Sequence, residues 1–330
     1  MLLRIGEYKL DSPFILAPMA GITDAPFRRL CKKFGAGMTV SEMTTADISL
    51  WKTTKSKNRL NLDMNIEPRV VQIAGSEPRL LSIAAQLCVE KGAQIIDINM
   101  GCPAKKVCNK LAGSALMRDT KKIKLILEAV VKSVNVPVTL KMRTGWNPDE
   151  RNGLEVAHIA ENSGIQAITI HGRTRACRFA GKAEYETIAR IKKSISIPVI
   201  ANGDINSPEK SIEVFKKSKA DALMIGRSSQ GKPWIFRELN YYLNEGKHIT
   251  PLEKNNVRDT MLEHLFDLYD FYGEQLGVRL ARKHLNWYCM HLDDSKDFRS
   301  KAVRAQNVDC LLYTSPSPRD RTRSRMPSSA

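Results

Sequence analysis

Eight short apolar runs spaced roughly 30 residues apart, each followed by a segment of helical periodicity, predict an α/β protein: a (β/α)8 barrel with a small helical domain after it. Three observations carry this reading. The runs are short and β-branched, as buried parallel strands are. No G-x-G-x-x-G follows the first run, which disfavours an open doubly wound sheet. From about Gly246 the strand signal vanishes, while 255–290 reads as helix.

The runs are residues 14–16, 38–40, 70–73, 95–98, 138–140, 167–170, 199–201 and 222–225. Between them, 77–90, 120–134, 153–163 and 207–218 have helical spacing. In the first of these, Leu80, Leu81, Ala84, Leu87 and Cys88 form an apolar face. Ser207-Pro208 places a capping residue before a proline at the first helical position. In 255–290, Val278, Ala281, Leu285 and Tyr288 make an apolar stripe, and Arg279, Arg282, Lys283 and Asn286 fall opposite it. The expected division is a barrel over 1–243, a helical domain over 244–310 and a non-native or disordered tail over 311–330. The tail is rich in Ser, Pro and Arg without periodicity.

Composition narrows the partners. Of the net charge of +17, the tail contributes +3, so +14 remains on residues 1–310. That charge suits a polyanion, nucleic acid first and a membrane surface second. No apolar run approaches the ~20 residues of a membrane span. Seven Cys without paired spacing point to a reducing cytoplasm. No His or Cys pattern completes a metal site, and none is expected.

A barrel gathers its chemistry at the carboxyl ends of its strands. In chain order those ends carry Met19, Glu42, Gln72, Asn99 with Cys102, Lys141 with Arg143, His171 with Arg173, Asn202-Gly203-Asp204, and Gly226-Arg227. Packing gives no reason for so many polar ends, because barrel interiors prefer Val, Ile and Leu. Gly203, Gly226 and Arg227 follow the last two strands, the usual phosphate position, so a phosphorylated cofactor or substrate is expected. Cys102 sits where a strand opens into Asn99-Met100-Gly101-Cys102-Pro103, a loop expected to be mobile.

These residues carry a resemblance. The matching pieces include Ala17-Pro18-Met19-Ala20-Gly21, Val71-Gln72-Ile73-Ala74-Gly75, Asp97-Ile98-Asn99-Met100-Gly101-Cys102-Pro103 and Gly113-Ser114-Ala115-Leu116-Met117. Further on come Lys141-Met142-Arg143, His171-Gly172-Arg173-Thr174-Arg175, Asn202-Gly203-Asp204-Ile205, Gly226-Arg227 and Ala281-Arg282-Lys283-His284. In order and correctly spaced over about residues 4–305, they make the chain similar to the tRNA-dihydrouridine synthases, most closely their B-type bacterial branch.

The resemblance implies a monomeric FMN enzyme that reduces the C5=C6 bond of a tRNA uridine in the D-loop, with NADPH as reductant. By motif match, Pro18, Met19, Ala20 and Gln72 would hold the flavin ring, and Lys141 would stabilise its reduced form. His171, Asn202, Gly203, Asp204, Gly226 and Arg227 would bind its phosphate. Cys102 would protonate C5 while hydride reaches C6. Asn99, Arg143, Arg173, Lys105 and Lys106 would meet the substrate near the site, with Lys110 beside them. Arg279, Arg282 and Lys283 would grip the tRNA body. The family's helical domain runs on where this match fades, after about Arg304, so a truncated domain is expected. The residues alone leave three alternatives open: a free-pyrimidine reductase, a tRNA-folding factor, and an aldolase using Lys141 as a Schiff base.

Overall fold

The computed structural model describes residues 3–291 together with Ser300 and Arg304. Eight strands form the barrel: β1 (Phe14–Leu16), β2 (Met38–Val40), β3 (Arg69–Ala74), β4 (Ile95–Met100), β5 (Val138–Arg143), β6 (Ala167–His171), β7 (Val199–Asn202) and β8 (Ala222–Ile225). All pair in parallel in the order β2-β1-β8-β7-β6-β5-β4-β3, and pairing of β2 with β3 closes the cylinder. The eight predicted runs are these eight strands.

Period-two alternation divides the apolar residues. Phe14, Leu16, Val71, Ile73, Ile96, Ile98, Leu140 and Met142 pack outward against helix residues such as Phe27, Leu81, Ile123 and Ile126. Ile15, Val70, Ile95, Ala167, Ile200 and Ala222 form a separate inner cluster. An N-terminal hairpin, Arg4–Ile5 with Tyr8–Lys9, adds Leu3, Ile5 and Leu10 to that cluster and stoppers the amino end of the barrel. Its turn residue Gly6 has φ +58°, and a Cβ there would lie 2.4 Å from Pro137 Cγ.

Several strands run further than their apolar cores. Asn99, Lys141, Arg143, His171 and Asn202, expected just beyond strands, lie within β4 to β7, and Gln72 lies within β3 as its run predicts. Hydropathy marks side-chain burial, whereas the ladder is a property of the backbone, and here it continues under polar side chains. On one inward face, therefore, Val70 is followed by Gln72, Ile95 by Asp97 and Asn99, and Ile200 by Asn202. The barrel is apolar at its amino end and polar at its mouth.

The helices follow with small corrections. Asp24 caps Ala25–Lys33 by accepting from the Phe27 amide, and Ser207 caps Pro208–Ser218 by accepting from Lys210. In Pro78–Glu90 the buried face is Leu81, Ala84, Ala85 and Cys88, while Leu80 is 41% exposed. The segment read as continuous helix over 255–290 is two helices, Lys254–Tyr272 and Glu274–Tyr288. Gly273, at φ +75°, breaks it, a conformation in which most side chains would be strained.

The chain forms two compact units. One comprises Met1–Ser229 with Pro233–Ile249, and the other Gln230–Lys232 with Thr250–Ala330. Within the second, Val278, Ala281, Leu285 and Tyr288 are buried as the stripe predicts, with His264 and His284 beside them. Arg279 is exposed, and Arg282 and Lys283 are half-buried. The tail, 311–330, and its expected disorder lie outside the described residues. No helix among the described residues is long and apolar enough to cross a membrane.

Candidate active site

The mouth of the barrel contains a chain of buried hydrogen bonds. Asn99 donates from its side-chain amide to Gln72 Oε1 (2.7 Å), and Gln72 Nε2 donates to Asp97 Oδ2 (2.7 Å). Thr139 donates its hydroxyl to Asp97 Oδ1 (2.7 Å). Burial raises the Asp97 carboxyl, against the pull of Gln72, Thr139 and Lys141. The Gln72 and Asn99 amides are held in a fixed orientation, because their neighbours define which end donates.

Asn99 also fixes the thiol loop. Its Oδ1 accepts from the amides of Gly101 (3.2 Å) and Cys102 (3.0 Å). The Cys102 carbonyl accepts from Ser114 Oγ (2.8 Å) and the Ser114 amide (3.1 Å), with the Cys108 thiol at 3.7 Å. Gly113 has φ +61°, and a Cβ there would come within 2.8 Å of the Cys102 carbonyl. The loop expected to be mobile is thus tied at both the amide and the carbonyl of Cys102. The Gly113-Ser114 motif, which sequence reading matched without assigning a role, is its clamp. Burial pushes the Cys102 thiol above its ordinary value, although the Ala104 amide, Arg143 and Lys141 pull it down. A thiol in that state is protonated at neutral pH and able to donate.

Lys141 reaches Asn202 Oδ1 (3.2 Å), and Asn202 donates in turn to the Met224 carbonyl (2.7 Å). Among the described residues no carboxylate lies within ion-pair distance of Lys141. Burial and the neighbouring Arg143 charge lower its ammonium to about 8. His171 is driven further, to about 2, by burial and by Lys141, Arg143, Arg173 and Arg227. A neutral histidine ringed by four cations marks a site short of negative charge.

Two arginines expected to touch substrate are held by the protein, Arg173 through all its donors and Arg143 through Nε and Nη1. Arg143, 1% exposed, donates to the carbonyls of Gly101 (2.8 Å), Thr174 (2.8 Å) and Arg178 (2.9 Å). Arg173 grips Asp204 with two bonds (2.9 and 2.7 Å) and donates to Ala180 (3.1 Å) and Gly181 (2.6 Å). Its remaining proton faces His171 Nε2 (3.4 Å). The structure makes Arg143 a brace between the thiol loop and the β6 loop, and Arg173 an organiser of Asp204. Sequence gives each residue's strand position but not where its guanidinium ends.

At the ends of β7 and β8 the donors are open. Among the described residues, the main-chain amides of Gly203, Asp204, Gly226 and Arg227 meet no protein acceptor. Gly203 has φ +130°, and a Cβ there would stand 2.7 Å from Ala183 Cβ. A Cβ on Gly226 would meet only Met19 Sδ (3.6 Å) and Ala17 Cβ (3.8 Å), so the protein leaves space in front of it. Burial works to raise the Asp204 carboxyl, but Arg173, the Ala183 amide and Arg227 hold it below its ordinary value. The Asp204 carboxylate is therefore an anchor for arginines, and only its amide is available to a ligand. Arg227 remains 56% exposed at its side chain while donating to Asp204 (3.1 Å).

Sequence reading missed Phe179, a half-exposed ring with Arg143 5.7 Å and Arg227 5.3 Å from its centroid. An aromatic residue in a polar loop carries no periodicity that would single it out. Lys105, Lys106 and Lys110 lie on the exposed surface of the loop after Cys102.

Comparison with known proteins is consistent across the chain. Residues 15–314 match the family model described as dihydrouridine synthase. A tRNA-dihydrouridine synthase B of Pseudomonas aeruginosa is 58% identical over 306 residues, covering 93% of this chain and 92% of that protein. One from Vibrio cholerae is 56% identical over 310 residues, covering 94% and 96%. Among solved structures, a histamine dehydrogenase from Rhizobium sp. 4-9 superposes at TM-score 0.57 with 14% identity, covering 87% of this chain and 50% of that one. A 2-naphthoyl-CoA reductase complex does so at 0.55 with 16% identity, covering 74% and 52%. At those identities the likeness is one of fold. The chain spans about half the length of those two proteins.

Proposed function

The chain belongs to the dihydrouridine synthase family, and from that premise we propose that it reduces a tRNA uridine, in the D-loop, to 5,6-dihydrouridine. The observation that carries the reading is the pairing of a positioned, protonated thiol with an open anion cradle across one barrel mouth. The curated relatives at 54–58% identity carry the name tRNA-dihydrouridine synthase B, which gives the substrate class.

The residues present fit FMN. Four free amides and Arg227 would take its phosphate, with neutral His171 able to add a donor. The backbone at Pro18, Met19 and Ala20 and the Gln72 amide would meet the ring edge, and Lys141 would face the part that gains negative charge on reduction. When bound, FMN would supply hydride chemistry at uracil C6, with NADPH as the reductant that replenishes it.

The rest is the work of the chain. A flipped uracil enters the polar mouth beside the thiol loop that Asn99 positions, the Asn99 amide itself being engaged by Gln72, Met43, Gly101 and Cys102. Cys102 delivers a proton to C5, and burial keeps that proton on the sulfur until the base arrives. Arg143 and Ser114 hold the loop so that the thiol needs no reorganisation. Arg279, Arg282 and Lys283 supply phosphate contacts from the helical unit, and the protein acts as a monomer in the cytoplasm.

The test is direct. Purified protein is expected to show flavin absorbance, release FMN on denaturation, and form dihydrouridine on unmodified tRNA with NADPH. A colourless protein that FMN does not reconstitute, or one that releases only FAD, overturns the proposal.

A further inference from the structure

The excursion between β2 and β3 is a second cationic surface, one that sequence reading did not single out. After β2 the chain makes a short strand, Thr44–Thr45, that pairs with Ile73 and Ala74 at the carboxyl end of β3. It then forms a 3-10 turn, Ile48–Lys52, and a helix, Thr54–Leu60. This platform is anchored at the mouth. Arg59 donates to the Met43 carbonyl (3.0 Å) and to Glu42 (3.2 Å), and the Trp51 indole donates to the Thr45 carbonyl (2.7 Å). Thr53 caps the helix through the Ser56 amide (3.3 Å). Met43 Sδ lies 3.8 Å from Asn99 Nδ2, which ties the platform to the strand that carries the thiol loop.

Three of the platform's four cations take no part in this anchoring. Lys52, Lys55 and Lys57 are exposed and have no ion-pair partner among the described residues. The acids near them are engaged: Glu42 with Arg59, Asp47 with Ser49, and Glu77 with Lys122. On the outer helices some lysines are paired, Lys192 with Asp221 and Lys217 with Glu213, while Lys132, Lys193 and Lys216 are exposed without an ion-pair partner among the described residues and lie away from the mouth. Ile48 and Leu50 stand beside the free lysines at 39% and 42% exposure. On the same side of the mouth the loop after Cys102 adds Lys105, Lys106 and Lys110, also exposed and without an ion-pair partner among the described residues.

We propose that Lys52, Lys55 and Lys57 form, with Lys105, Lys106 and Lys110, a phosphate-binding band along the β2–β4 side of the mouth that holds the RNA backbone flanking the target uridine. This rests on the tRNA reading above and deepens it. Unpaired ammonium groups on an anchored platform can release counterions from a polyanion with little ordering cost, and the apolar neighbours suit an unstacked base.

The test measures binding of unmodified tRNA to the full chain over a range of KCl concentrations. The variant is Lys52→Ala/Lys55→Ala/Lys57→Ala. The control is Lys132→Ala/Lys193→Ala/Lys216→Ala, which removes equal charge from last helical turns at the opposite rim. The platform variant is expected to bind about tenfold more weakly at low salt, with a log–log slope reduced by about two, since each phosphate contact contributes roughly 0.7–0.9. Flavin content and tRNA-independent NADPH oxidation stay at the parent level, and the control binds as the parent does. Unchanged affinity and slope in the platform variant overturn the proposal, as does an equal loss in both variants. A parent that binds tRNA with the expected slopes but makes no dihydrouridine refutes the functional reading and leaves the band standing.

Discussion

The two sides of the barrel mouth treat their polar groups in opposite ways. On the β4–β5 side, around Cys102, the amide, the carbonyl and the braces from Asn99, Ser114 and Arg143 are all engaged. On the β7–β8 side, the amides of Gly203, Asp204, Gly226 and Arg227 are left open. A group that must transfer a proton in one geometry benefits from a saturated support, because nothing then rearranges during the reaction. A group that must bind an anion has to keep its donors free for it. The difference matches the division in the proposed function, proton transfer on one side and phosphate binding on the other.

The largest test of that division is Cys102→Ala. Removing a positioned acid typically lowers a rate by about 10²–10⁴. Dihydrouridine formation is expected to fall by that order, while FMN content, NADPH oxidation and melting temperature stay at parental values. Loss of flavin in this variant would make Cys102 part of the binding side and erase the distinction. Because burial raises the thiol, the chemical step in single-turnover measurements should be lost only in alkaline solution, as pH rises through that elevated value.

Arg227→Ala attacks the other side. It removes an exposed cation from the open cradle, and a hydrogen bond to a charged group is worth about 1.5–3 kcal/mol, roughly ten- to a hundredfold in affinity. FMN titration of the apoprotein should show that loss, with saturated turnover on tRNA near the parent rate. A variant that binds FMN normally but turns over slowly would exchange the roles of the two sides.

Arg173→Met probes what holds the cradle in place. It strands Asp204 beside Arg227, and breaking a buried pair costs about 3–5 kcal/mol. Asp204 is 26% exposed at its side chain, so about 2–3 kcal/mol is expected in denaturant unfolding. A cost near zero would mean that the bridge does not organise the loop.

Acid stability sharpens the comparison further. His171 is held neutral down to about 2, against about 6.5 in the unfolded chain. Below pH 6.5 the unfolded chain binds the extra proton, so stability is lost as pH falls, by about 2 kcal/mol at pH 5. Bound phosphate would restore proton affinity to His171, so the apoprotein should lose stability more steeply than the FMN-loaded protein over pH 6.5–5. Equal slopes would remove His171 from the phosphate side.

The smallest effect is expected at the clamp. Ser114→Ala leaves the Cys102 carbonyl one donor short and costs about 1 kcal/mol, with turnover reduced several-fold and flavin retained. Cys108→Ala removes a buried thiol beneath the same carbonyl. A small fall in melting temperature is expected there, with no change in FMN affinity.

The barrel was legible because its signals are local. Strand runs such as Phe14–Leu16 and Ala222–Ile225 recur with β-branched or apolar residues that must be buried on both faces, and caps such as Ser207 act within three residues. The residues of the mouth were legible for the same reason, since polar side chains at strand ends break a pattern that packing alone would keep apolar. The ends of long side chains were not legible. Arg143 and Arg173 occupy the strand ends where a substrate contact is expected, yet their guanidinium groups turn to carbonyls of Gly101, Thr174 and Ala180, partners up to 42 residues away. Gly273 also escaped notice, because one glycine in a strong amphipathic pattern is a weak signal until its φ is known. Sequence by itself determined which residues reach the barrel mouth, through burial and period. The tertiary structure decided which of them are saturated by the protein and which stay open to a ligand, because that depends on acceptors contributed by distant strands.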